Sequence, residues 1–70
     1  MTTKQRTVLE EIYRYMTRYK GRPNLTWLSE QLLISITHVH RQVQALRAMG
    51  YLGLTPSITI TGKTVRLIGE

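Results

Sequence analysis

The chain has seventy residues, with ten Lys and Arg against four acidic residues, a formal net charge of +6 and no cysteine. A chain this short builds one domain around one core. The missing cysteines exclude disulfides, Cys-ligated zinc and a thiol nucleophile. No apolar run approaches the ~20 residues that span a bilayer, and the polar stretch from Thr2 to Thr7 predicts no signal peptide, so a cytoplasmic protein is expected. The positive balance points to a polyanionic partner. Nucleic acid is the first candidate. An anionic membrane surface would require a basic amphipathic helix with exposed apolar bulk.

Thr2, with Gln5 three residues later, forms a capping-box pattern at the start of a first helix over about 3–20. Val8, Leu9, Ile12, Tyr15, Met16 and Tyr19 recur at helical spacing as its apolar face, and Gly21 and Pro23 stop it. Asn24 or Thr26 caps a second helix over about 25–33, with Trp27, Leu28 and Leu32 on its buried side and Leu33 at the margin. Trp27 is expected to close the core there. Ile34 begins a tight turn, and Ser35 or Thr37 caps a third helix over about 36–49. On that helix Ile36, Val39, Val43 and Leu46 share one face, while Thr37, Arg41, Gln44 and Ala48 point the other way. Gly50 suits a left-handed residue closing it.

After Gly50 the period changes. Ile58-Thr59-Ile60-Thr61 and Thr64-Val65-Arg66-Leu67 both alternate, with Gly62-Lys63 between them. Glycine at the first central position suits a two-residue type II′ turn. The spacing therefore predicts a β-hairpin over about 57–68, pairing Ile60 with Val65 and Ile58 with Leu67. Tyr51-Leu52-Gly53-Leu54 reads as a short leading strand. The expected fold is mainly α with a small β-hairpin, as one domain over residues 1–70.

No Asp or Glu occurs between Gln31 and Gly69, a stretch that contains the whole third helix. DNA phosphates repel carboxylates and attract Lys and Arg, so an acid-free helix carrying His, Arg and Gln on its outer face suits a duplex-binding surface.

Leu28-Ser29-Glu30-Gln31-Leu32-Leu33-Ile34-Ser35 resembles the helix-turn-helix core of bacterial repressors, commonly Leu-Ala-x-x-Leu-Gly-[Val/Ile]-Ser. His38-Val39-His40-Arg41, then Leu46, then Gly50-Tyr51-Leu52, resembles the run into the wing. Thr3 to Val8 with Ile12 and Tyr15, followed by Gly21 and Pro23, is similar to the first helix of LexA-type repressor DNA-binding domains. The resemblance implies a three-helix winged helix-turn-helix whose third helix enters the major groove. Two positions depart from the pattern: Ser29 replaces the usual Ala, and Leu33 replaces Gly, which removes easy access to positive φ. The protease and dimerisation domain of LexA-type proteins has no counterpart in these residues, so cleavage-controlled derepression is not expected.

The DNA-binding candidates are Ser35, Thr37, His38, His40, Arg41, Gln44, Lys63 and Arg66. Arg41 is the principal one, because a guanidinium there can contact guanine O6 and N7 together. Thr37 and His38 lie in the first turn, and His40 and Gln44 toward the flank and centre of the outer face. For Ser35, capping alone suffices. Lys63 at the hairpin tip and Arg66 on its outward face are equally well read as phosphate contacts or as solvated charges. For Arg14, Arg18, Lys20, Arg22 and Arg47 a solvated face is the default. Tyr13 beside the apolar face of the first helix is a candidate subunit contact.

No catalytic constellation is present, and no enzyme activity or cofactor is expected. His38 and His40 point roughly 200° apart on a helix, which rules out joint chelation of one metal ion. The expected function is sequence-specific binding of double-stranded DNA by a small transcriptional regulator of a bacterium, phage or mobile element. A weak homodimer or a DNA-induced pair of copies would supply the second half-site. No membrane and no small-molecule effector is expected. The alternatives are a DNA-architectural or recombination accessory protein of the excisionase kind, and a winged-helix protein-interaction module. The latter commonly carries acids or apolar groups on the third helix.

Overall fold

The computed structural model describes residues 1–69. Its elements are α1 (Thr3–Arg18), α2 (Leu25–Leu32), α3 (Ile36–Ala48) and α4 (Gly62–Ile68).

α1 starts on the expected capping box. The Gln5 N–H donates to Thr2 Oγ1 at 3.1 Å, and the Thr2 N–H donates to Gln5 Oε1 at 2.8 Å. The helix ends at Arg18, with Tyr19 already extended, so it stops three residues before Gly21. Asn24, not Thr26, caps α2, accepting the Trp27 N–H at 2.7 Å. Ser35, not Thr37, caps α3, accepting the His38 N–H at 3.1 Å. Each cap satisfies one of the amide donors that a helix start leaves without a partner.

The two ends of the α2–α3 pair close alike but with different residues. At the end of α3, Gly50 has φ 84°, and the bonds Tyr51 N–H to Leu46 O and Gly50 N–H to Arg47 O complete a Schellman closure. At the end of α2 the left-handed residue is Leu33, at φ 55° and ψ 41°, with the Ile34 N–H donating to Ser29 O. The turn therefore keeps the compact form expected of a glycine despite having none. Leu33 is 90% exposed, so it does not belong to the buried side of α2.

The core is formed by Val8, Leu9 and Ile12 of α1, Leu28 of α2, Val39, Val43 and Leu46 of α3, and Leu52 and Ile58 from the segment beyond. α3 packs on both α1 and α2, and α4 lies against α1. Tyr15 and Trp27 meet edge-on at 4.6 Å between ring centroids, and Trp27 packs against the core from α2. Tyr15 is only half-buried and Tyr19 is exposed, so the apolar face of α1 fades toward its C-terminus. Ile36, at the first position of α3, is 47% exposed, and only Val39, Val43 and Leu46 of the predicted face are buried.

The β-hairpin over 57–68 does not form, and the winged architecture falls with it. Gly62–Ile68 is a helix, and no strand or sheet exists among the described residues. What remains of the β pattern is one antiparallel bridge, Leu52 with Ile60, flanked by Gly53 N–H to Thr59 O and Thr61 N–H to Tyr51 O. Ile60 thus pairs backwards with the predicted leading strand instead of forwards with Val65. Thr64, Leu67 and Ile68 stand at helical spacing of three and four. Thr64 is fully buried with its hydroxyl donating to Tyr51 O, and Leu67 and Ile68 pack on the core. The hairpin would have turned Thr64 outward, away from the Tyr51 carbonyl that its hydroxyl reaches in the helix. Val65 accordingly lies 40% exposed.

Two stability measurements check these features. Thr64→Val keeps the shape but removes the hydroxyl. It should cost about 1 kcal/mol, seen as a Tm lowered by roughly 4–8 °C; in an outward strand position valine would be neutral or favourable. Leu33→Gly relieves a left-handed cost of about 1–2 kcal/mol and adds about 0.5–1 kcal/mol of unfolded-chain entropy, so it should leave Tm unchanged or raise it.

Candidate nucleic-acid interface

The burial of Val39, Val43 and Leu46 fixes the rotation of α3 and leaves Thr37, Arg41, Gln44 and Ala48 exposed on the opposite side. Arg41 makes no hydrogen bond or ion pair with any described residue. Ser35 sits at the head of the same helix with its side chain engaged by the His38 amide. Its hydroxyl oxygen caps the helix, and its O–H makes no hydrogen bond among the described residues.

The two histidines leave this face in opposite directions. His38 lines a groove between α3 and the start of α1, with Lys4, Thr7, Leu32, Ile34 and Gln42. His40 lines another, with Leu25, Gln44, Arg47, Pro56 and Ile58, and its Nε2 lies 3.4 Å from Gln44 Nε2. No cluster of three or more metal-ligating side chains occurs among the described residues.

Lys63 and Arg66, predicted on a wing, are elsewhere. Lys63 opens α4. Its ammonium donates to Met49 O at 2.7 Å and stands 4.5 Å from the centroid of the Tyr51 ring. It thus neutralises the negative end of α3 and is held by a carbonyl and an aromatic face. Arg66 is exposed on the same short helix, whose first turn is tied to the C-terminal end of α3. That end is roughly 20 Å along the helix from Ser35, at 1.5 Å per residue. The structure therefore brings Ser35, Thr37, Arg41 and Gln44 together on one helix, flanks them with His38 and His40, and places Lys63 and Arg66 on α4, tied to the end of α3 opposite Ser35.

Three of the remaining seven cations have partners inside the chain. Arg6 pairs with Glu10 at 3.4 Å and Arg14 with Glu11 at 3.0 Å, both within α1 and exposed enough to contribute little. Arg47 is structural: its guanidinium donates to Thr55 O at 2.9 Å and holds the 53–57 loop beside α3, with Nε buried and without a partner. Tyr13 is half-buried and its hydroxyl lies where a Cβ on Gly69 would sit, so it serves a contact inside the chain rather than an open subunit surface.

Sequence reasoning misses the exposure of Leu33, which it sets at the margin of the buried side of α2, and of Ile36, which it places on the apolar face of α3. Their exposure follows from their position at the turn, where α1 and α2 no longer cover the start of α3. No helix among the described residues is long and apolar enough to cross a membrane. No protein-family model, curated protein or solved structure matches the chain.

Because Lys63 is engaged with Met49 O and Tyr51, Lys63→Met should lower stability by about 0.5–1 kcal/mol in thermal unfolding. If the residue instead served a phosphate, the variant would keep its Tm and lose DNA affinity evenly.

Proposed function

We propose that the protein binds double-stranded DNA sequence-specifically through α3 and acts as a small transcriptional regulator. The observation that carries this reading is the unpartnered Arg41 guanidinium, flanked by Thr37 and Gln44 on a helix face that no carboxylate shares. A cation held by an internal ion pair would have to break that pair to reach DNA; Arg41 has none to break among the described residues. Its reach and planar fork suit guanine O6 and N7, and Gln44 suits adenine N6 and N7. Two capped helices joined by a three-residue turn, built from the residues that resemble a repressor helix-turn-helix, add support.

The same features argue against a protein-interaction module. The outer face of α3 is polar and cationic, and the larger exposed apolar groups nearby, Leu33 and Ile36, lie at its head and not along it. With Lys63 withdrawn, one helix face carries the base contacts. A single such face specifies few base pairs, so two copies on one site, a helical turn apart, would complete the recognition.

Selection of bound duplexes from a random pool, followed by titration at several salt concentrations, tests this reading. Affinity should fall with salt in the manner of phosphate contacts. Arg41→Ala should weaken the selected site by about 1–3 kcal/mol and relax preference at one or two positions. Absence of any salt-dependent duplex binding would remove the proposal. Unchanged preference in the variant would remove α3 as its reader.

A further inference from the structure

Six large apolar side chains are exposed among the described residues: Met1, Tyr19, Leu33, Ile36, Leu54 and Val65. Two of these, Leu33 and Ile36, fall within four residues of each other, at the turn that leads into α3. Leu33 is the most exposed of the six and the one non-glycine residue at positive φ. A backbone cost is therefore spent to display an isobutyl group to solvent, where glycine would fit without strain. Strain of this kind persists where a site uses it.

The position of the pair says what it would meet. Leu33 and Ile36 are separated by at most about 11 Å of chain, and Ile36 immediately precedes Thr37. They lie at the end of α3 that enters deepest into a groove when a helix docks by its N-terminus. The helix that Ile36 opens favours a polyanion: its Arg41 is a cation with no ion pair among the described residues, and no acid follows in the sequence until residue 70. Glu30, exposed one turn earlier on α2, is the carboxylate nearest in sequence. The only strongly apolar group on a base edge of the major groove is the thymine C5-methyl.

Resting on the DNA-binding reading above, we propose that Leu33 and Ile36 are specificity residues that pack on thymine methyl groups at the head of α3. The preferred site then carries thymine at positions other than the one on which Arg41→Ala relaxes preference. Each methyl buried against an aliphatic side chain adds roughly fourfold in affinity, the equivalent of about one buried methylene.

The test uses the duplex selected from a random pool, synthesised once with thymine and once with deoxyuridine, which lacks only the C5-methyl. Binding is read by fluorescence anisotropy. The wild-type protein should bind the uracil duplex about fourfold more weakly for each contacted methyl. The variant Leu33→Gly/Ile36→Ala should bind both duplexes alike, at the strength of wild type on uracil. Leu33→Gly alone separates this effect from unfolding, since its Tm is expected to be unchanged or raised while its thymine preference falls. Equal wild-type affinity for the two duplexes overturns the proposal and leaves DNA binding standing, as does a thymine preference that survives in the double variant. Failure to bind any duplex at low salt removes the DNA-binding reading itself. If sedimentation shows that the double variant dissociates a dimer of the free protein while thymine preference persists, the pair is instead a contact between copies of this chain, and the proposal falls.

Discussion

Three consecutive carbonyls past the end of α3 hold this fold together. Met49 O, Gly50 O and Tyr51 O accept from the Lys63 ammonium and from the hydroxyls of Thr61 and Thr64, respectively. A helix end leaves several carbonyls without partners, and Met49 O and Gly50 O would otherwise stay without a protein donor, while Tyr51 O accepts the Thr61 N–H as well as the Thr64 hydroxyl. The three donors stand within four residues at the start of α4, so satisfying the carbonyls of α3 docks α4. The bridge between Leu52 and Ile60 closes the intervening loop, and Leu52 and Ile58 enter the core from it.

That arrangement sorts the basic residues. Lys63 belongs to the end of α3, Arg47 to the loop it pins, and Arg6 and Arg14 to carboxylates of their own helix. Arg41 is left on the surface that α1 and α2 do not cover. A net charge of +6 suggests a polyanionic partner, but it does not tell which cations are free to meet one. Arg41 shares freedom from internal partners with Lys4, Arg18, Lys20, Arg22 and Arg66 among the described residues, and is set apart by its place on the acid-free outer face of α3.

The turn between α2 and α3 trades backbone comfort for surface chemistry. Gly50 and Leu33 adopt the same left-handed geometry at the ends of successive helices. Only at Gly50 does the residue type suit it. At the other the chain keeps a bulky aliphatic group, with its side chain in solvent, at the head of the helix proposed to read DNA. For a purely structural turn the lower unfolded-chain entropy of leucine only partly offsets its left-handed cost.

Much of the helical half is legible in the residues alone, because its determinants are local. Capping by Thr2, Asn24 and Ser35, the left-handed closure at Gly50, and the buried faces of α1 and α3 depend on side chains reaching their own or the next turn. The outward rotation of Thr37, Arg41 and Gln44 follows directly from the burial of Val39, Val43 and Leu46. Residues 57–68 are different. Their alternation of Ile, Thr, Val and Leu satisfies a strand period, and Thr64, Leu67 and Ile68 satisfy a helical one. Local propensity cannot choose between the two. The choice falls to partners remote in the chain: the carbonyls of residues 49–51, which accept from the Thr61, Lys63 and Thr64 side chains, and the α1 surface against which α4 packs. The exposure of Leu33 and Ile36 was likewise decided by tertiary structure. Their spacing marks them as apolar-face residues, but only the packed helices determine where the cover ends.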